Sequence, residues 1–70
     1  MNQNHFYSSN FDKWIKPKEK GWYINYRTTC GDYSFIKVDR KPYNNKDAKQ
    51  MVESLLDNVI VGVTSWGEVK

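Results

Sequence analysis

The sequence predicts a small α+β domain, in which one helix packs on one face of an antiparallel sheet in the order (β)ββαβ. Residues 22–28 and 33–39 are rich in aromatic and β-branched side chains and flank a turn that contains Gly31. Apolar residues then recur three and four apart over residues 45–57. A chain of 70 residues has material for one core, so we predict one domain over residues 13–70 after a polar tail at residues 1–12.

The strands are predicted from local composition. Residues 13–18 (KWIKPK) are expected to form either a short first strand, which Pro17 restricts to a sheet edge, or an irregular lead-in. The segments on either side of Gly31 form a hairpin, since glycine adopts the positive φ of a tight turn. The β-branched run at residues 59–63 is the expected last strand. Trp66 after it is expected to anchor the core, and the alternative is an exposed contact with a protein partner.

The helix is predicted from its cap and its apolar stripe. Pro42 ends the preceding strand, and Asn44 resembles an N-cap with Asp47 in the first turn, where a negative charge suits the helix dipole. Asp57 and Asn58 can close the helix. The stripe comprises Ala48, Met51, Val52, Leu55 and Leu56. Because Leu55 and Leu56 cannot both face the sheet, a dimer seam is an alternative use for them, although a monomer is favoured over a homodimer.

Alternation along the hairpin divides its side chains into two sets. The mostly aliphatic set matches the helix stripe and is expected in the core: Trp22, Ile24, Tyr26, Ile36 and Val38. The other set points away from the helix: Tyr23, Asn25, Arg27, Tyr33, Phe35 and Lys37. An open face of aromatic planes and cations suits nucleic acid. The alternative is that the N-terminal segment covers this face with His5, Phe6, Tyr7 and Trp14.

Charge and residue content narrow the function classes. Residues 13–41 carry eight basic against three acidic residues, within a total net charge of +3. No carboxylate pair stands out for acid/base catalysis, and Cys30 with the distant His5 lacks an orienting third group. With one cysteine and one histidine, we expect no disulfide, metal, cofactor or enzymatic activity. No signal peptide or membrane span is evident, so we expect a cytoplasmic protein, in a bacterial or phage-infected host cell, without a membrane partner.

From residue 14 to residue 56 the chain resembles the three-stranded DNA-binding domains of AP2-like proteins and the arm-binding domains of tyrosine integrases. Both run through a basic first strand, a strand with Trp22, a hairpin with Gly31, an aromatic residue at Tyr43 and a helix with an early Ala48. In that family the sheet enters the major groove. The resemblance assigns base and phosphate contacts to Lys16, Lys18, Tyr23, Asn25, Arg27, Phe35 and Lys37.

Two functional hypotheses follow. The leading one is a small non-catalytic DNA-binding module, of phage or mobile-element origin. The alternative comes from the strand after the helix, which the simplest members of that family lack. A hairpin, helix and strand in this order is similar to short phage-encoded inhibitors of host enzymes, and the partner is then a host protein of the transcription or defence machinery.

Overall fold

In the computed structural model, which describes residues 4–70, the chain forms two small antiparallel sheets and one helix. A two-stranded ribbon pairs β1 with β2, and a three-stranded sheet has the order β4-β3-β5. The α+β class is thereby confirmed. The elements are β1 (Phe6–Ser8), β2 (Lys13–Ile15), β3 (Gly21–Arg27), β4 (Tyr33–Val38), α1 (Asn45–Leu56) and β5 (Gly62–Val69).

The predicted hairpin of β3 and β4 is confirmed, with a register that runs from Trp22 opposite Val38 to Arg27 opposite Tyr33. Its turn is closed by the Asp32 carbonyl, which accepts from the Thr28 N–H at 2.8 Å. Gly31 has a φ of 90°, a conformation that side chains other than glycine rarely adopt. Gly31 therefore provides the positive φ that this turn requires.

Helix α1 begins after Asn44, whose side chain accepts from the Asp47 N–H at 2.8 Å as the sequence predicts. Asp47 also forms a two-bond ion pair with Arg40, at 2.7 and 3.1 Å. The helix ends at Leu56, since Asp57 takes the left-handed conformation with a φ of 53° and donates its N–H to the Glu53 carbonyl.

The main core lies between α1 and one face of the three-stranded sheet. Its fully buried members include Ile24, Ala48 and Val52, with Trp66 packed at its margin, so both the predicted inner face and the core role of Trp66 are confirmed. Leu55 and Leu56, however, are 57% and 37% exposed. They lie in the last helical turn, and Ile60, just after the helix, takes the buried position instead.

The last strand was predicted too early. Val59 and Val61 are exposed in the connection after α1, and β5 begins only at Gly62, opposite Arg27. The pairing with β3 shifts between Asn25 and Tyr26, where Thr64 donates its hydroxyl to the Asn25 carbonyl at 3.0 Å. This bulge lets β5 continue to Val69 along the whole length of β3.

The segment expected to be a polar tail also needs correction. Residues 4–12 contain β1, whose Phe6 and Ser8 are buried, and the tight turn that leads into β2; residues 1–3 lie outside the described part of the chain. The mostly polar composition of the segment predicted a tail, but the burial of one apolar side chain, Phe6, is enough to hold the segment on the sheet. Between residues 4 and 70, no helix has both the length and the apolar character needed to cross a membrane.

Candidate nucleic-acid interface

Strand β1 lies over the sheet face that points away from the helix. The Phe6 ring is fully buried there, with its centroid 5.5 Å from the Tyr23 ring and 5.8 Å from the Phe35 ring. These rings and Val69 form a second small core. The expectation of an open face is wrong, and the alternative that the N-terminal segment covers it is confirmed at Phe6.

Asn25 attaches β1 to the sheet. Its side-chain amide accepts from the Tyr7 N–H at 2.8 Å and donates to the Tyr7 carbonyl at 3.0 Å and to the Ser34 carbonyl at 2.6 Å. The residue is only 1% exposed, so the base contact assigned to it by resemblance is replaced by a structural role. Tyr23 is also buried, and its hydroxyl donates a hydrogen bond to the Glu19 carbonyl at 2.9 Å.

The remaining predicted contact residues are dispersed. Lys16 and Lys18 are exposed in the link between β2 and β3, and Arg27 is exposed at the far end of β3. Phe35 is half-buried under β1. Lys37 is paired with Glu19 at 2.6 Å, a hydrogen bond that raises the pKa of the lysine. The structure therefore leaves three of the seven as exposed cations without an ion pair among residues 4–70: Lys16, Lys18 and Arg27.

A different set of aromatic rings reaches solvent on the outer side of the ribbon. Tyr7 and Trp14 are cross-strand partners, with ring centroids 5.5 Å apart, and the centroid of the Tyr33 ring lies 5.7 Å from that of Tyr7. We call Tyr7, Trp14 and Tyr33 the outer aromatic cluster. Trp14 is 59% exposed, which is unusual for so large an apolar side chain.

The position of Tyr7 in this cluster is held by Asp12. The Tyr7 hydroxyl donates a short hydrogen bond to the Asp12 carboxylate, and this bond is the main reason that the pKa of Tyr7 is raised above its ordinary value. Asp12 itself has a φ of 50°, in the tight turn between β1 and β2. At the other end of that turn, Ser9 exchanges two hydrogen bonds with Tyr33, which keeps the third ring in place.

The outer aromatic cluster forms the walls of an open groove of about 510 Å³. Its floor is polar and comes from the middle of β3 and the bulged part of β5. The lining residues are Tyr7, Trp14, Asn25, Tyr33, Thr64 and Ser65. The sequence carried a partial signal for this groove, since Tyr7 and Trp14 are aromatic residues in a polar, basic context. Their pairing does not follow from the sequence, because residues 1–12 have the composition of a polar tail.

Basic residues follow the ribbon and continue into the link to β3. Lys13, Lys16, Lys18 and Lys20 are all exposed, and none has an ion pair among the described residues. At the groove, Arg27 is the cross-strand partner of Tyr33. An exposed aromatic plane bordered by unpaired cations is the combination through which proteins bind single-stranded nucleic acid.

A second, apolar surface lies at the end of α1. Leu55, Leu56, Val59 and Val61 are all exposed, and we call them the aliphatic patch. Next to it, a hollow of about 460 Å³ opens between β4 and the helix, with Met51 and Leu55 among its lining residues. Apolar side chains grouped in this way are typical of protein-binding surfaces.

Two further observations bear on the site. Within residues 4–70, no three His, Cys, Asp or Glu side chains are grouped so that they could hold a metal ion, and Cys30 is an exposed free thiol.

In comparisons with known proteins, the chain matches no family model, no curated protein and no solved structure.

Proposed function

We propose that the protein is a nucleic-acid-binding module, with DNA as its ligand, and that it binds through the basic ribbon and the outer aromatic cluster. The observation that carries the proposal is the exposure of Trp14 next to Lys13 and close in sequence to Lys16 and Lys18. Lysines without acidic partners attract phosphates and release counterions when they bind them. An exposed indole ring adds a plane on which a base stacks.

The proposed mode of binding differs from the one that the resemblance implied. Strand β1 covers Tyr23 and Asn25, so reading of a major groove by this sheet face would require β1 to detach. Detachment would expose the buried Phe6 ring and break both hydrogen bonds between the Asn25 amide and Tyr7. The proposed interface is therefore the outer side of the ribbon.

A charge-reversal experiment tests the proposal. The triple variant Lys13→Glu, Lys16→Glu, Lys18→Glu is compared with the wild type by fluorescence anisotropy on a labelled single-stranded oligonucleotide across a salt series. We expect loss of binding at physiological salt and a shallower dependence of log K on log salt, by roughly 2 if three phosphate contacts are lost.

The matched control is the triple variant Lys41→Glu, Lys46→Glu, Lys49→Glu. It makes the same change in net charge on the helix and in the connection before it, where Lys41 lies over Trp22 on the helix side of the sheet. We expect this control to keep most of the affinity and salt dependence. Equal weakening by both variants would mean that only net charge matters and would contradict the proposed interface.

A second candidate function is binding to a partner protein, and the aliphatic patch favours it. The four side chains of the aliphatic patch are exposed in the last helical turn and in the connection after it, and a partner protein would desolvate them. If this is the function, the double variant Leu55→Glu, Val59→Glu should no longer be cross-linked to the partner protein. Its binding to nucleic acid should be unchanged. No nucleic-acid binding by the wild type, even at low salt, would favour this candidate over the first.

A further inference from the structure

We propose that the groove under Trp14 is a subsite for one unpaired nucleobase, which makes the protein selective for single strands and indifferent to base sequence. The inference rests on the proposed function and specifies the ligand of the same surface. It depends on three properties of the groove: its aromatic walls, its polar floor and its border of cations.

The walls suit a flat aromatic ligand. Tyr7 meets both Trp14 and Tyr33 edge to face, with interplanar angles of 64° and 86°. Since none of these three rings is stacked face to face on another, a ring face of the exposed Trp14 is available to a ligand. The groove volume of about 510 Å³ falls within the range of small-molecule sites.

The floor explains the expected indifference to sequence. Asn25 would be the natural residue to read a base edge, but its amide is bonded to Tyr7 and Ser34. The Thr64 hydroxyl donates a hydrogen bond to the Asn25 carbonyl. Because these donors are already engaged within the protein, a base gains stacking energy in the groove and little hydrogen-bond discrimination.

The border of cations favours a nucleic acid over an uncharged aromatic ligand. Lys16 comes two residues after Trp14, and Arg27 is opposite Tyr33, so exposed positive charge is present on both the ribbon side and the sheet side of the groove. A base on Trp14 would have its flanking phosphates near these cations. In a duplex both faces of each internal base are occupied by neighbouring bases, so only an unpaired base can present a face to Trp14.

The test uses three labelled probes on the full chain at low salt: a single-stranded oligonucleotide, the same strand with abasic sites, and the corresponding duplex. We expect the intact single strand to bind most tightly. Loss of one stacked base should weaken binding roughly 5- to 150-fold, the range that corresponds to stacking energies of 1–3 kcal/mol per base. Homopolymers of different bases should differ by much less.

Substitutions at Trp14 test whether the tighter binding of the intact strand depends on the groove. Trp14→Ala should weaken binding of the intact strand and remove most of its advantage over the abasic strand, whereas Trp14→Phe should retain part of both. Phe11→Ala is the matched control, since Phe11 is 66% exposed on the same ribbon but does not line the groove. Thermal unfolding shows whether each variant is folded.

The outcomes separate this inference from the function on which it rests. If the abasic strand or the duplex binds as tightly as the intact strand, or if Trp14→Ala has no effect, the base subsite is wrong while phosphate binding by the ribbon stands. If no probe binds at low salt, the proposed function itself fails, and the subsite with it.

Discussion

The side chain of Asn25 completes the backbone hydrogen bonding of Tyr7: its amide oxygen accepts from the Tyr7 N–H at 2.8 Å, and its amide nitrogen donates to the Tyr7 carbonyl at 3.0 Å. One side chain on the central strand thus replaces the backbone partner that a neighbouring strand would provide. The same residue is among those that line the groove, together with Tyr7 and Trp14. Attachment of β1 and formation of the candidate site therefore depend on the same contact.

Replacing Asn25 by Ala should destabilise the fold. The change leaves Tyr7 N–H, Tyr7 C=O and Ser34 C=O without their amide partner in a partly buried region. Each unsatisfied buried group costs about 1–3 kcal/mol, so we expect the free energy of unfolding to fall by at least about 2 kcal/mol in urea titrations. Asn10→Ala, at an exposed turn position, should change it by less than about 0.5 kcal/mol. Equal midpoints for the two variants would contradict the role of Asn25.

Replacing Phe6 by Ala tests whether β1 is docked on the sheet in solution. Phe6 is fully buried against Tyr23 and Phe35, and truncation of a buried Phe to Ala typically costs about 3–5 kcal/mol. Phe11→Ala removes the same atoms from an exposed ring of the same segment and should have little effect. Thermal or urea unfolding measures both. A Phe6→Ala variant as stable as Phe11→Ala would show that the segment is not docked.

The acid stability of the helix start should depend on Asp47. The Arg40 guanidinium and the Tyr43 N–H lower the pKa of Asp47 from 3.8 to about 2. A carboxyl group whose pKa is lower in the folded state contributes stability above its unfolded pKa and loses that contribution as pH falls through its folded pKa. The stability advantage of the wild type over Asp47→Asn should therefore be complete above about pH 5 and shrink as the pH falls from about 4 to 2.

Urea unfolding of both proteins at several pH values measures this advantage. Asp32→Asn, at an exposed position in the β3–β4 turn, controls for the loss of one negative charge. A difference between wild type and Asp47→Asn that stays constant from pH 5 to pH 2 would be inconsistent with the ion pair to Arg40.

Replacing Asp12 by Asn should strengthen nucleic-acid binding. Asp12 is a negative charge at the outer aromatic cluster, where its carboxylate accepts a hydrogen bond from the Tyr7 hydroxyl. The amide oxygen of Asn can still accept that hydrogen bond, while repulsion of phosphates is removed. We expect a several-fold gain in affinity at low salt that diminishes at high salt, and unchanged or weaker binding would argue against phosphates at this surface.

The same variant has a spectroscopic readout. Because the hydrogen bond to the Asp12 carboxylate is the largest cause of the raised pKa of Tyr7, the pKa should fall towards 10.0 in Asp12→Asn. Ultraviolet titration of the phenols, with Tyr7→Phe to identify the Tyr7 contribution, measures the change. A Tyr7 pKa that does not move would mean that the pair is not formed in solution.

Local patterns in the sequence were enough to predict the elements that depend on neighbouring residues. The hairpin follows from alternation and Gly31, and the helix from its Asn44 cap and the spacing of Ala48 and Val52. The start of β5 was not predictable in this way, because Val59 and Val61 have the composition of a strand but lie in a loop. Pairing with β3 sets that start, and pairing is not a local property.

The sequence by itself therefore determined the class of the fold, its main core and the excess of basic charge between residues 13 and 41. Only the tertiary structure decided which face of the sheet meets solvent. Alternation assigns Tyr23, Asn25 and Phe35 to one face but does not tell what covers it, and the answer depends on contacts between Phe6 and strands far along the chain. By covering that face, β1 buried Tyr23 and Asn25 and brought Tyr7, Trp14 and Tyr33 together on the outside.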